Sequence, residues 1–204
     1  MKRTIFAALL ATASLSLAGC GSDAQNDMDN KTDALENIMT RTSIRVFKPA
    51  KLTDSQIETL LRAGMAAPTA VNSQPWEFVV VDDAALLDSI QAAMPNARIS
   101  NGCQQVIVVC GNEERMLQGD GRGFWLQDCS AATQNILLAA HATGLGAVWC
   151  GVAPVKERMD KVADILRLPE GIEPFCVICV GEPGEAPEPK DKWKADRVHR
   201  NATW

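Results

Sequence analysis

Residues 123–143 constrain the fold most, because they are predicted to form a long helix that is apolar on several faces. Its large apolar side chains include Phe124, Trp125, Ile136 and Leu137. A helix on a protein surface keeps one polar face, whereas a helix that is apolar all round is buried in a core or in an interface. We therefore expect this helix to be central to the core or to an interface between subunits.

The remaining predicted elements alternate roughly between helices and strands. Asp33 and Asp83 are candidate helix caps, and Thr53 with Gln56 matches a capping box. Strands are predicted at 76–83, 104–111, 146–152 and 172–183, and further helices at 34–41, 54–67, 84–94 and 155–166. A polar, glycine-containing loop is predicted at 112–122. This order predicts an α/β or α+β sandwich.

Charge and motif content exclude several functions. The formal net charge is -5, so the chain has no basic excess with which to neutralise a nucleic-acid backbone. Neither the glycine-rich dinucleotide fingerprint nor the phosphate loop of nucleotide hydrolases occurs. The two histidines, His141 and His199, have no serine or cysteine partner in a catalytic setting. If the chain is an enzyme, we expect a cofactor to carry the chemistry.

Residues 1–20 match an export signal. Lys2 and Arg3 precede the apolar run IFAALLATASLSLA, which is too short to span a membrane. The sequence Leu-Ala-Gly before Cys20 resembles a bacterial lipobox, which implies that Cys20 becomes the lipidated first residue of the mature protein. Plain secretion, with Cys20 incidental, is the alternative.

The lipobox divides the chain into three parts. Residues 1–19 are the predicted lipoprotein signal peptide, and residues 20–33 are the lipidated cysteine and a polar, flexible tether. Residues 34–204 form the predicted folded domain. We expect this domain to be lipid-anchored in a bacterial cell envelope, at the outer membrane on its periplasmic or surface side.

Six cysteines follow Cys20, and most of them sit in apolar runs such as VIVVC and PFCVICV. Cys176 and Cys179 form a C-x-x-C motif, but these two positions of a strand face opposite sides of the sheet. Without a second Cys or His pair nearby, a zinc site is not expected. We predict that the six cysteines mostly act as small buried hydrophobic residues.

The stretch RTSIRVF, residues 41–47, is a candidate anion site. Arg41, Ser43 and Arg45 occupy alternate positions, so in an extended chain they point the same way and form a cradle for a phosphate. Lys190 and Lys192 have the same spacing near the other end of the chain. A solvated edge strand and a solvated charged tail are the alternatives.

Two further stretches offer groups for a flat ring. APTAVNSQPWEF, residues 67–78, contains the polar side chains of Thr69, Asn72 and Gln74, and two prolines stiffen it. GLGAVWCGV, residues 144–152, places small residues where a backbone approaches another group closely.

These stretches together resemble the FMN-dependent nitroreductase family. The family shows R-x-S-x-R/K near the start of its domain, then A-P-S/T-x-x-N-x-Q-P-W-x-F, a long apolar helix, G-L-G before a further glycine, and a basic pair near the end. All of these occur here in order, across about residues 33–200. The resemblance implies an α+β, nitroreductase-like sandwich, with a central mixed or antiparallel sheet flanked by helices, that forms a homodimer with FMN at the interface.

The resemblance also implies roles for individual residues. Arg41 lies at the FMN phosphate and Arg45 towards the N1 and O2 side of the ring, while Lys190 and Lys192 close the phosphate cradle. Loop residues Pro68, Thr69 and Asn72 come from the second subunit. The complete set that the resemblance assigns to the cofactor is Arg41, Thr42, Ser43, Arg45, Pro68, Thr69, Asn72, Gln74, Trp149, Cys150, Gly151, Lys190 and Lys192.

Within that set, Cys150 and Gly151 pass near the ring, with a backbone N–H towards its O4 and N5 atoms. For Trp149, packing in the core is the alternative to a role at the site.

The resemblance implies an oxidoreductase that takes two electrons from an NAD(P)H-type or other donor. It passes them in a ping-pong cycle to a nitroaromatic, a quinone or a similar small acceptor. Two other hypotheses remain at this point: a lipoprotein that binds or scavenges flavin without turnover, and an assembly protein that has lost the cofactor.

Overall fold

The computed structural model describes residues 34–97 and 101–201. The predicted signal peptide, the lipidated Cys20, the tether and the cap Asp33 lie outside the described residues.

A four-stranded antiparallel sheet forms the centre of the fold. Its strands are β1 (Trp76–Val81), β2 (Gln105–Asn112), β3 (Gly146–Gly151) and β4 (Ile172–Gly181), in the spatial order β1-β2-β4-β3. All three neighbouring pairs are antiparallel, and a bulge interrupts the β2–β4 ladder between Val109 and Cys110. Of the two sheet types expected, the structure therefore has the antiparallel one.

Helices cover both faces of this sheet. They are α1 (Ala34–Thr40), α2 (Asp54–Met65), α3 (Ala84–Ala93), α4 (Phe124–Ala142) and α5 (Lys156–Leu166). One core contains residues of α2 and α4, such as Leu60 and Ile136, packed with Ile107 of β2. The other contains Ile90 of α3 and Val162 of α5. The predicted sandwich is confirmed, and α4 lies in the first core.

Two glycines shape the packing and the end of the long helix α4. Gly64 of α2 allows close approach, because a Cβ atom at this position would lie 3.0 Å from the side chain of Ile136. At its C-terminus, Gly144 has a φ of 74° and donates its backbone N–H to His141 O, while the Leu145 N–H reaches Ala140 O. These two bonds form a Schellman motif, which requires the left-handed conformation that glycine adopts easily.

The predicted helix caps follow the sequence signals. The Thr53 side chain accepts a bond from the Gln56 N–H, and the Gln56 side chain accepts one from the Thr53 N–H. The Asp83 carboxylate accepts from the Leu86 N–H at 2.9 Å. These caps satisfy backbone donors that have no partner within the helix.

Among the described residues, no helix combines the length and the hydrophobicity that crossing a bilayer requires.

Candidate functional site

The segment 41–47 lies beside the edge strand β3. Its Ile44 N–H donates to the Ala147 carbonyl at 3.1 Å, and Phe47 pairs with Pro183 in an isolated bridge. Residues 41–46 form no strand of their own. Buried Ile44 and Phe47 therefore anchor a segment whose polar side chains stay accessible.

The chain that follows β4 is bonded to this segment. The Gly184 N–H donates to Val46 O at 2.8 Å, and the Lys48 N–H donates to Glu182 O at 3.0 Å. The Glu185 carboxylate accepts from the backbone N–H groups of both Arg45 and Val46. These bonds bring the C-terminal segment, which carries Lys190 and Lys192, to the same edge of the molecule as Arg41.

Both basic segments line one cavity of about 770 Å³, which we call the basic cleft. The residues that line it are Ile38, Met39, Arg41, Thr42, Ser43, Arg45, Gln134, Pro189, Lys190, Asp191, Lys192 and Trp193. Thus the structure brings together six of the predicted site residues from opposite ends of the domain. The sequence predicted that alternate residues of this segment face the same side. Thr42 and Ser43 are adjacent and both line the cleft, so that strict alternation does not hold here.

Four cations of the basic cleft have no anionic partner among the residues that the structure describes. Within residues 34–97 and 101–201, no carboxylate lies within 4.0 Å of the charged nitrogens of Arg41, Arg45, Lys190 or Lys192. The one acid lining the cleft, Asp191, accepts from the Trp193 backbone N–H at 2.9 Å. Clustered like charges repel one another, so this arrangement favours a bound anion.

Helix α1 carries one wall of the basic cleft and is docked on α4. The Asn37 side chain donates to Leu138 O at 3.0 Å, and Thr40 Oγ1 lies 2.9 Å from His141 Nε2. Partial burial, and then the positive charge of Arg41, lower the pKa of His141. A neutral imidazole therefore holds the end of the helix that leads into Arg41.

The loop 68–74 has a strained backbone and does not line the basic cleft of its own chain. Val71, Asn72 and Gln74 have φ values of 45°, 58° and 50°. Residues other than glycine seldom adopt this left-handed region, and a β-branched residue such as Val71 does so least readily. Bonds within the loop contribute to this conformation: the Gln74 N–H donates to Thr69 Oγ1, and the Gln74 amide donates to Asn72 Oδ1.

Because of this placement, four predicted cofactor residues are not brought together with the others in one subunit. They are Pro68, Thr69, Asn72 and Gln74. That Pro68, Thr69 and Asn72 reach the cofactor from a second subunit stays a prediction, as does the contact of Gln74 with the cofactor.

The end of β3 borders a second cavity, of about 240 Å³, which we call the strand-end cavity. Its lining includes the predicted residues Trp149, Cys150 and Gly151, together with Arg45, which also lines the basic cleft. At the exposed Gly151, an added Cβ atom would meet no heavy atom within 4 Å. Open space for a flat group is therefore present beside this backbone.

The side chains of the β3 end differ in burial. Trp149 is half-buried and packs edge-on against Phe175, with ring centroids 5.4 Å apart, so it joins both the core and the cavity wall. Cys150 is buried, and its sulfur lies 4.0 Å from that of Cys179. This contact with Cys179 lowers the pKa of the Cys150 thiol, and the nearby Arg45 charge lowers it further.

Some residues of these cavities carried no signal in the sequence. Gln134 and Arg158 face a cavity only because helices α4 and α5 dock where they do. Trp193 directly follows Lys192, and this position next to the basic pair is the sequence signal that could have placed Trp193 at the cleft. Among the described residues, no group of three or more His, Cys, Asp or Glu side chains is placed to hold a metal ion.

Comparisons with known proteins agree with this geometry. A model of the Nitroreductase family matches residues 38–182. A provisionally named NADH dehydrogenase/NAD(P)H nitroreductase of Methanothermobacter thermautotrophicus is 40% identical over 171 residues, which cover 83% of this chain and 87% of that protein.

Two solved structures are similar over nearly their whole length. The crystal structure of a protein with the same provisional name from Bacteroides thetaiotaomicron has a TM-score of 0.76 and 44% identity, and the match covers 82% of this chain and 96% of that one. A provisionally named nitroreductase of Desulfovibrio desulfuricans, solved in complex with FMN, has a TM-score of 0.72 and 29% identity. That match covers 84% of this chain and 98% of the other.

Proposed function

Since this chain belongs to the nitroreductase family, we propose that it is an FMN-dependent oxidoreductase that passes two electrons from a reduced donor to a small acceptor. The observation that carries this proposal is the convergence on the basic cleft of four cations that have no carboxylate partner in the described part of the chain. A relative of similar fold is named for its complex with FMN, and the phosphate of that cofactor is the kind of group such a cleft would bind.

The residues present fit FMN. The cleft of about 770 Å³ has room for a phosphate and its sugar chain, and it holds the hydroxyl groups of Thr42 and Ser43 as well as the cations. The open space at Gly151 leaves room for a flat ring at the end of β3. Arg45 lies on both cavities and so connects the two regions that one elongated ligand would occupy.

FMN, when bound, supplies the two-electron transfer. In our proposal Arg41, Lys190 and Lys192 hold its phosphate by charge-assisted hydrogen bonds, which are about twice as strong as neutral ones. Arg45 places a fixed positive charge towards the polar edge of the ring, where negative charge develops on reduction. The backbone at Cys150 and Gly151 orients the ring. No side chain of the chain itself is required as a nucleophile.

We further propose a homodimer. The loop 68–74 does not line the basic cleft of its own chain, and Val71 at its tip is 80% exposed. Helix α1 also exposes Ile38 and Met39 at the rim of the cleft. A second copy that covered these apolar side chains would bring its own Thr69, Asn72 and Gln74 to the cofactor.

For the reaction cycle we propose ping-pong order. With FMN bound, an NAD(P)H-type or other donor would give up two electrons and leave before a nitroaromatic, a quinone or a similar acceptor takes them. The names of the relatives support reduction of this kind rather than storage of flavin. Tight binding of FMN without turnover by any donor would favour the storage role instead.

We also propose that the protein acts at the bacterial cell envelope. The support is the lipobox-like sequence ending at Cys20 and the polar stretch that follows it. A lipid on Cys20 would tether the domain to a membrane. Metabolic labelling with a fatty acid tests this directly: the native chain should incorporate the label and Cys20→Ala should not.

The main test is cofactor retention. Residues 21–204 are purified, the visible absorption spectrum is recorded, and any released chromophore is identified. We expect a yellow protein that releases FMN. The double variant Arg41→Ala/Arg45→Ala should lose FMN, because each hydrogen bond to a charged group contributes about 1.5–3 kcal/mol.

The matched control replaces two exposed cations outside the cleft, Lys161 and Arg62, which already pair with Glu157 and Glu58 within their own helices. Lys161→Ala/Arg62→Ala should keep wild-type FMN content. Full FMN occupancy in Arg41→Ala/Arg45→Ala, or a wild-type protein that cannot be reconstituted with FMN, would overturn the assignment.

A further inference from the structure

Asp128 places a carboxyl group in the core of the domain and bonds it to the strained loop 68–74. It lies in α4 and is only 6% exposed. Its Oδ1 accepts from the Ala70 N–H at 2.8 Å. Within residues 34–97 and 101–201, no Lys, Arg or His nitrogen lies within 4.0 Å of this carboxyl group. Burial of a carboxyl group is costly unless its oxygens are bonded, so the loop supplies a bond that compensates for it.

The bond to Asp128 holds the middle of the loop, where the backbone is strained. Ala70 begins the short 3₁₀ turn Ala70–Asn72, in which Val71 and Asn72 have positive φ values. Residues other than glycine keep such a conformation only where their surroundings impose it. The two side-chain bonds within the loop connect the loop to itself, whereas the bond to Asp128 connects it to the long buried helix.

The two ends of the loop are held by other bonds. The Ala67 N–H donates to Gly64 O at 3.1 Å, and Pro75 O accepts from the Asn112 N–H at 2.7 Å. Between these two points the chain leaves the domain and exposes Val71. The bond to α4 therefore sets how far the turn stands out from the domain.

We propose that Asp128 is a positioning residue for the cofactor site of the second subunit. By fixing Ala70 it sets the place of the neighbouring Thr69 and Asn72, and it acts through them rather than on the cofactor itself. This inference rests on the proposed function, in which these loop residues reach the FMN of the other copy. Helix α4 then serves both sites of the dimer. Its Gln134 lines the cleft of its own chain, and Asp128, about 9 Å earlier along the helix axis, holds the loop for the other.

The first experiment measures FMN affinity in single variants. Asp128→Ala removes the acceptor, Asp128→Asn keeps an oxygen there, and Ala70→Pro removes the donor from the loop side. Proline suits position 70, because this residue begins the turn and Thr69 before it is already extended, with a φ of -136° and a ψ of 157°. The matched control is Thr133→Ala, which changes another buried polar residue of α4, one that bonds to Cys129 O within the helix.

Asp128→Ala and Ala70→Pro should each weaken FMN binding by at least about tenfold, the effect of losing one hydrogen bond to a charged group. Asp128→Asn and Thr133→Ala should keep an affinity close to that of wild type. Wild-type affinity in Asp128→Ala, or an equal loss in Thr133→Ala, would overturn the inference. Because the wild type binds FMN in both of those cases, the proposed function would stand.

The second experiment determines on which subunit Asp128 acts. Two differently tagged copies are co-expressed, and mixed dimers are purified through both tags. One copy carries Arg41→Ala/Arg45→Ala and the other carries Asp128→Ala. In this mixed dimer the intact cleft of the Asp128→Ala copy meets the intact loop of the other copy. We therefore expect one FMN site of wild-type affinity per mixed dimer, although neither homodimer has one.

The control is a mixed dimer of wild type with Arg41→Ala/Arg45→Ala, which should also keep one such site. If the control keeps its site and the Asp128→Ala mixed dimer has none, the inference is overturned, because Asp128 would then act on its own subunit. A wild type that binds no FMN would contradict the proposed function instead. In that case, hydrogen exchange of the loop amides that is faster in Asp128→Ala than in wild type would support Asp128 as the anchor of the loop, and equal exchange would exclude it.

Discussion

His141 shows how a single residue can connect the stability of the domain to its binding site. Its Nε2 lies 2.9 Å from Thr40 Oγ1, one residue before Arg41. Thr40 also donates to the Glu36 carbonyl within α1. The hydroxyl proton is then directed to that carbonyl, and the hydroxyl oxygen accepts from the imidazole N–H. Protonation of the ring would add a positive charge next to Arg41.

The stability of the domain should therefore fall in mild acid. Burial lowers the pKa of His141 in the folded state below its ordinary value of 6.5, so the unfolded chain binds the proton more readily. The resulting stabilisation is fully present above that value and is lost as the pH falls through the folded pKa. Melting curves should show a larger drop in Tm between about pH 7.5 and about pH 5.5 for wild type than for His141→Gln.

Comparing wild type with His141→Gln separates the effect of His141 on the pH dependence of Tm from that of the other titrating groups. Burial raises the pKa of Glu173 and acts in the opposite direction, but this carboxyl is present in both proteins and cancels. Glutamine can still donate to Thr40, so the helix contact is kept. An equal drop in Tm for both proteins would show that His141 titrates alike in the folded and unfolded states.

At the scale of elements, the contact between segment 41–47 and strand β3 positions the cations of the basic cleft. Gly146 is the critical residue, since an added Cβ would lie 2.8 Å from two atoms of the Ile44 side chain. Ile44 also donates its N–H to Ala147 O. A methyl group at Gly146 must therefore push this segment away from the sheet edge.

Gly146→Ala should destabilise the domain by about 1–3 kcal/mol, the usual cost of overpacking. It should also weaken FMN binding, because Arg41 and Arg45 flank Ile44. The measurements are urea unfolding and FMN titration. Gly123→Ala is the control, since its Cβ would meet no atom within 4 Å and its φ of -62° suits alanine. A Gly146→Ala protein with the stability and FMN affinity of Gly123→Ala would contradict this role.

Most elements could be predicted from the sequence because their signals are local. Apolar runs defined β2 and β4, and the capping pair Thr53 and Gln56 defined the start of α2. The predicted bounds differ from the structure by one or two residues at most ends, where the last turn or pair frays. The predicted strand 172–183 is two residues too long, because the chain bends at Glu182 and residues 182–184 pair with residues 46–48 instead.

The site was only partly predictable, because cavities arise from tertiary placement. The two basic motifs could be identified from their spacing and from the family resemblance. The strand order β1-β2-β4-β3 and the docking of α5, which together bring Arg158 to the strand-end cavity, depend on contacts far apart in sequence. No local pattern distinguishes Arg158 from the other charged residues of α5.

At the scale of the whole molecule, the six cysteines of the domain are packed into its cores. All six are buried and free. Burial raises the pKa of the Cys110 thiol to about 12. It also raises that of Cys129 and of Cys176, which lies on the opposite face of the sheet from Cys179. Because the thiolate is the reactive form, these sulfurs should be protected while the domain is folded.

Native residues 21–204 should therefore react slowly with Ellman's reagent, and all six thiols should react rapidly in denaturant. Cys103 and Cys150 should react first, because each lines a cavity and the contact with Cys179 lowers the pKa of each thiol. The double variant Cys103→Ala/Cys150→Ala should remove that first phase. Fewer than six thiols in denaturant would reveal a disulfide, and rapid reaction of several thiols in the native protein would show that the cores open.

Association of two chains is the property that completes the proposed site, and the strained loop 68–74 offers a way to test it. Val71 is exposed, apolar and in the left-handed region, three features that are unfavourable in an isolated chain. Val71→Asp should leave the fold intact, since aspartate tolerates this conformation better than valine. It should weaken the dimer, because it places a charge in an apolar contact.

The control is Val155→Asp, at another exposed valine that occupies the N-cap of α5, where aspartate is favoured. Sedimentation analysis should give a dimer for wild type and for Val155→Asp, and a shift towards monomer for Val71→Asp. Bound FMN should decrease together with the dimer fraction, because each cofactor would lose the loop of the second copy. A monomeric wild type that retains FMN would show that one chain forms the whole site, and the strain at Val71 would then serve a purpose within the subunit.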